Sequence, residues 1–269
     1  MTNSDQSLFA ASPQELAIDP DVLASELEAE LQGDPLDDIE PDNPDADARN
    51  AAQECDAALA WLTQGHQERL QGLRVLCEHR DPRAIPLLLP LMEAACPIER
   101  MSAVYALGRN PSPLAVEPLL HLLQVDSNAY VRKATAWSLA NYADSPVLTP
   151  LIRALQTDVA AVRLWAAGSL AEAGTFSSAK ADPVADQLLM SLRIDSEPVV
   201  RSNCIWSLGR LYEHLAESRQ LELIEAFVNS LLHDRESSVR DEARTALEQL
   251  EDPLVVDRLQ TLLDEGLLI

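Results

Sequence analysis

Glycine is scarce in this sequence, with eight in 269 residues, and aromatics make up only 4%. So little glycine beside 47% apolar content suits packed helices. No apolar run approaches the ~18 residues of a membrane span. The longest candidate, Ala84 to Cys96, is broken by Pro86, Pro90 and Glu93. The four cysteines, Cys55, Cys77, Cys96 and Cys204, fit neither a disulfide framework nor a zinc or iron–sulfur ligand spacing. His66, His79, His121, His214 and His233 share no metal-ligand spacing. Phosphate-binding glycine loops and nucleophile elbows are missing too, so neither catalytic residues nor a metal site is expected.

Basic residues are also few. The net charge is −24, and residues 1–50 hold fourteen Asp and Glu against Arg49 alone. Nucleic acid is excluded as a partner, because phosphate binding needs a positive footprint. The N-terminus lacks the basic and apolar regions of a signal peptide, which implies a cytoplasmic protein. Residues 1–47 read as an acidic, largely disordered arm broken by Pro13, Pro20, Pro35, Pro41 and Pro44. Within it, Asp21 to Gln32 has helical spacing at Leu23, Leu27 and Leu31.

What the chain does contain is a repeat. Arg100, Arg132, Arg163, Arg201 and Arg240 are each followed seven residues later by a leucine: Leu107, Leu139, Leu170, Leu208 and Leu247. Arg69 with Leu76 is a weaker copy, and the successive intervals are 31, 32, 31, 38 and 39 residues. A fixed period of ~20–50 residues marks a solenoid, in which each unit buries its apolar face against its neighbours. The fold expected over 48–269 is an all-α, right-handed solenoid of about six helix pairs. The two long intervals imply insertions of about seven residues, taken up either by longer helices or by loops. Cys204 fills a small position three after Arg201 and reads as a packing residue. Asp126, Asp158, Asp195 and Asp234 lie five or six residues before an arginine, placed to cap the incoming helix and to ladder with arginines of neighbouring repeats.

The Asp…Val-Arg…Ala…Ala-Leu-Gly pattern, clearest in MSAVYALGR, KATAWSLA and SNCIWSLGRL, resembles the HEAT repeat, particularly the short type of the phycobilisome lyase group. The resemblance spans roughly residues 66–263. It implies that each arginine-bearing helix lines the concave side of the stack.

On those helices the positions one before and three, six and seven after the arginine share one face, the core, at ~100° per residue. The opposite face, positions one, four, five and eight, is not polar as a solvated face should be. Position five holds Tyr105, Trp137, Gly168 and Trp206; position one includes Leu164, and Trp165 lies on the flank. With helices ~8–10 Å apart, Tyr105 to Trp206 would span roughly 25–30 Å of the groove, with a gap at Gly168. Arg109 and Arg210 flank the row and could pair with carboxylates of a partner. Tyr105, Trp137, Leu164, Trp165, Trp206, Arg109 and Arg210 are therefore the expected contact residues.

The expected function is a non-enzymatic binding scaffold or assembly factor that grips another protein in its aromatic groove without a cofactor. The resemblance implies an alternative: one subunit of a heterodimeric phycobilin lyase, binding a bilin and delivering it to a phycobiliprotein cysteine beside a second HEAT-like subunit. A second alternative is an accessory of an iron–sulfur assembly scaffold. The iron-dependent hydroxylases built of similar repeats use His-Glu pairs, and this chain has no such dipeptide.

Overall fold

Residues with one apolar stripe, proline at helix starts and polar turns between them give a succession of helices. A computed structural model describes residues 44–264 and Gly266; the acidic arm up to residue 43, with the candidate helix Asp21–Gln32, lies outside the described residues. Thirteen α-helices and no strand occur among the described residues. They are α1 (Pro44–Trp61), α2 (His66–Glu78), α3 (Ile85–Leu88), α4 (Pro97–Arg109), α5 (Val116–Val125), α6 (Ala129–Ser138), α7 (Leu148–Thr157), α8 (Ala160–Phe176), α9 (Ser178–Ile194), α10 (Pro198–Leu211), α11 (Glu217–His233), α12 (Ser237–Gln249) and α13 (Pro253–Asp264). Helix α1 begins at Pro44, so it takes in the last four residues read as arm.

Local chemistry sets the helix ends. Pro97 and Pro198 occupy first-turn positions, where their missing N–H costs nothing. Asn128 caps α6, its side chain accepting from the N–H groups of Tyr130 and Val131. Pro86 and Pro90 remove backbone donors and cut α3 to one turn between two 3-10 segments. The long intervals are absorbed by longer helices: α8, α9 and α11 each run 17 residues, and Ser177 alone separates α8 from α9. Pro183 therefore lies inside α9. The carbonyl left without its N–H belongs to Ala179, an exposed residue within reach of water.

The arginine-bearing helices α2, α4, α6, α8, α10 and α12 form one row and the remaining helices the other. Leu73, Leu76, Leu107, Leu139, Leu170 and Leu208 are fully buried between the rows, with Cys204 among them. Neighbours in the arginine-bearing row pack along their lengths, whereas neighbours in the other row touch sparsely. Closer spacing puts the arginine-bearing row on the inside of the curve.

The Asp–Arg ladder runs along one edge. Each arginine reaches forward to the aspartate of the next repeat through two hydrogen bonds: Arg100 to Asp126 (2.7 and 2.9 Å), Arg132 to Asp158 (2.8 and 2.6 Å), Arg163 to Asp195 (2.7 and 2.7 Å) and Arg201 to Asp234 (2.8 and 2.7 Å). Its third nitrogen grips a carbonyl of its own turn, as Arg132 does at Asp126 O (2.8 Å) and Arg201 at Asp195 O (2.9 Å). Such two-pronged pairs fix register as well as adding energy. Pairing also raises the four guanidinium pKa values and holds the Asp234 carboxyl below the usual carboxylate range. The aspartates do not cap the helices from within, because they accept from turn N–H groups one or two residues on, as Asp195 does from Glu197 (2.9 Å). At the N-terminal end Glu99 stands in for the aspartate, accepting from Arg69 at 2.8 Å beside His66 at 2.9 Å. On α12 the flank that is apolar elsewhere carries Arg244, paired with Asp241, and exposed Glu248.

Candidate binding surface

The inner row narrows the surface that the sequence outlined. Val104, Ala136, Ala167 and Ile205, all at position four, are fully buried. The reason lies in the seams between inner helices. Ser138 Oγ donates to Val104 O (2.8 Å) and Ser169 Oγ to Ala136 O (2.7 Å), so position six of one helix clasps position four of the helix before it. The next serine in that column, Ser207, turns instead to Asn203 of its own helix (3.3 Å). The column is visible in the sequence, but small residues at helix contacts read there only as packing. Leu164 belongs to the same buried set at 1% exposure and is removed from the contact surface. Trp165 is half-buried, and its indole N–H is sealed without a hydrogen-bond partner.

Position five remains on the surface. Tyr105 and Trp137 are half-buried, and Trp206 is 40% exposed. Tyr105 and Trp137 meet edge to face with ring centroids 5.3 Å apart. Trp137 also lies on Gly108 of α4: a Cβ there would stand 2.7 Å from its Cζ3 and 2.8 Å from Ser138 Oγ. Gly108 is thus the seat of a ring from the next repeat. Trp206 leans the same way, its Cζ3 4.0 Å from the Cβ position of Gly168, and so overlies the expected gap.

Both flanking arginines are engaged within the protein. Arg109 donates from Nε to Cys77 O at 3.1 Å. Arg210 stacks 5.1 Å over the Trp206 ring and pairs with Glu172 at 2.8 Å. Beyond Trp206 a cavity of about 200 Å³ opens between α10 and α12, lined by Trp206, Gly209, Arg210, Glu242, Ala246 and Gln249. Burial pushes the Glu242 carboxyl up, and it makes no hydrogen bond or ion pair among the described residues. A second cavity, about 770 Å³, opens between α9 and α11 in the other row. Arg193, Arg201 and Arg235 on its walls are bonded to Glu222, Asp234 and Ser196 O.

Elsewhere the chemistry is dispersed. Cys55 and Cys204 are buried, Cys77 and Cys96 half-buried, and all four are free. Desolvation pushes the Cys77 thiol up to about 12. Among the described residues no group of three or more His, Cys, Asp or Glu side chains could hold a metal. No helix among them is long and apolar enough to cross a membrane.

Stacked helix pairs with one closely packed row define the class, an all-α solenoid. Within that class, residues 57–140 and 116–209 match the model of HEAT repeats, together more than half of the chain, and the protein belongs to this family. No curated protein sequence matches it. Among solved structures, a designed armadillo repeat protein in complex with the peptide (KR)4 aligns at a TM-score of 0.53 and 21% identity, covering 74% of this chain and 100% of that one. The Kap95:Nup1 complex aligns at a TM-score of 0.57 and 17% identity, covering 91% of this chain and 35% of that one. An engineered protein aligns at 0.53 and 23% identity, covering 72% and 97%. At these identities the likeness shows the fold.

Proposed function

We propose that this protein is a non-enzymatic binding scaffold or assembly factor that holds a protein partner against the concave row of Tyr105, Trp137 and Trp206. The observation that carries the reading is Trp206, a large ring left 40% exposed on the inner row. Buried aromatic anchors supply most of the energy at protein interfaces, and an exposed one on a rigid helix is preorganised for that use. Proteins of similar fold occur in complexes, the armadillo design with the peptide (KR)4 and Kap95 with Nup1, which supports a protein or peptide partner. The bilin reading draws on the same rings but also needs Arg109 and Arg210 for propionates, and both arginines already have partners. The scaffold is accordingly the reading we adopt, with cytoplasmic placement as part of it.

Quantitative affinity capture with the full chain tests it. Partners bound by the wild type should be lost with Trp206→Ala and retained with Arg193→Ala on the other row. An identical partner set from all three proteins would remove the concave row from recognition. Titration with a bilin, read by absorbance and induced circular dichroism, should leave both spectra unchanged.

A further inference from the structure

The cavity between α10 and α12 combines two features that point to a ligand class. Its lining includes the exposed ring of Trp206 and Glu242, a half-buried carboxylate with no ion pair or hydrogen bond among the described residues. An ionised carboxylate drawn partly out of water and left unpaired is unfavourable, and a cation brought to it recovers that loss. The face of a tryptophan is the best aromatic site for a cation.

The molecule already contains one such arrangement on the preceding seam. Arg210 lies 5.1 Å over Trp206 with its head on Glu172 at 2.8 Å, a cation held between a ring and a carboxylate across α8 and α10. One helix further on, Trp206 and Glu242 offer the ring and the carboxylate, and the arginine that shares their cavity, Arg210, has its head on Glu172 instead of Glu242. At about 200 Å³ the space takes several water-sized atoms, at about 30 Å³ each, enough for the stem and head of a lysine. The charge of the chain favours the same ligand, since a net −24 attracts basic segments and repels acidic ones.

We propose that this cavity receives a lysine or arginine side chain from a basic segment of a protein partner, its stem over Trp206 and its charged head on the Glu242 carboxylate. The inference rests on the concave row being the binding surface and narrows the partner to one that presents exposed cations there.

The test uses the full chain and a fluorescein-labelled decapeptide of alternating lysine and serine, read by anisotropy at physiological ionic strength. A glutamate–serine decapeptide serves as the control. Glu242→Gln should weaken binding of the lysine peptide about tenfold, the size of one charge-assisted hydrogen bond. Glu248→Gln, the same change of charge on an exposed residue of α12 outside the cavity, should weaken it less than twofold. The thermal midpoint of neither variant should fall below that of the wild type, so that lost binding is not lost fold. Equal weakening by the two variants, or no preference for the lysine peptide, would overturn the proposal. If captured partners depend on Trp206 while Glu242→Gln leaves them unaffected, the cavity proposal fails and the concave surface stands. If Trp206→Ala changes no binding of any kind, the surface itself fails.

Discussion

The seam between α4 and α6 and the seam between α8 and α10 place a tryptophan at the same helix position and use it differently. Trp137 is clamped, with Tyr105 against its edge and Gly108 beneath it. Trp206 meets only ordinary contact at Gly168 and keeps 40% of its surface open. The difference comes from the preceding helix. Where α4 offers a ring and a tightly covered glycine, the tryptophan becomes part of the stack. Where α8 offers a glycine with room above it, the ring stays available, held in orientation by Arg210 and Glu172. A row of rings is therefore not a uniform surface, and its recognition and packing parts separate by what the neighbouring repeat supplies.

The largest effect should leave that comparison untouched, because the ladder serves both seams alike. Arg100→Ala and Arg163→Ala each strand a mostly buried aspartate, Asp126 or Asp195, and should each cost about 3 kcal/mol in urea unfolding. A much smaller loss at one seam would show that its ladder pair is not structural. Acid should act on the ladder too. The Asp234 carboxyl is held below its usual range by Arg201, so its contribution is present above the unfolded value of about 4 and is lost as pH falls through the folded one. Urea midpoints should therefore fall as the pH drops below about 4, and fall less steeply in Arg201→Ala.

Next in size, Trp137→Ala should lower stability by about 2 kcal/mol and Trp206→Ala by less than about 1 kcal/mol, measured in the same way. Equal losses would erase the distinction between a clamped and an open ring. The smallest pair concerns the glycines. Gly108→Ala forces a methyl into the Trp137 ring and should destabilise by about 1 kcal/mol even after the gain in helix propensity. Gly168→Ala meets nothing closer than 3.8 Å and should stabilise by up to about 1 kcal/mol.

The repeat itself was legible because a solenoid writes its period into the sequence. Arginine, small residue and leucine recur in one frame, and HEAT repeats with buried leucine and small-residue columns followed. A ladder of aspartates and arginines between neighbouring repeats was readable from spacing as well, whereas its forward direction came from the structure. What the sequence obscured was how much of an inner helix its neighbours cover. A helical wheel treats the helix as having two faces, core and solvent, whereas each inner helix here has a third and fourth contact along its flanks. For that reason Leu164 and the position-four residues moved inside, and the serine clasps to Val104 and Ala136 went unseen. The partners of Arg109 and Arg210 were hidden for a similar reason. Both bonds reach back to the preceding repeat, 32 residues away to Cys77 in one case and to Glu172 in the other.

Collisional quenching tests the contrast between the two rings most directly. Two variants each retain one tryptophan, with phenylalanine at the other three of Trp61, Trp137, Trp165 and Trp206, and acrylamide is titrated against their fluorescence. The protein that keeps Trp206 should be quenched severalfold more readily than the one that keeps Trp137, because its ring is the open one. Equal quenching, or a more accessible Trp137, would contradict it.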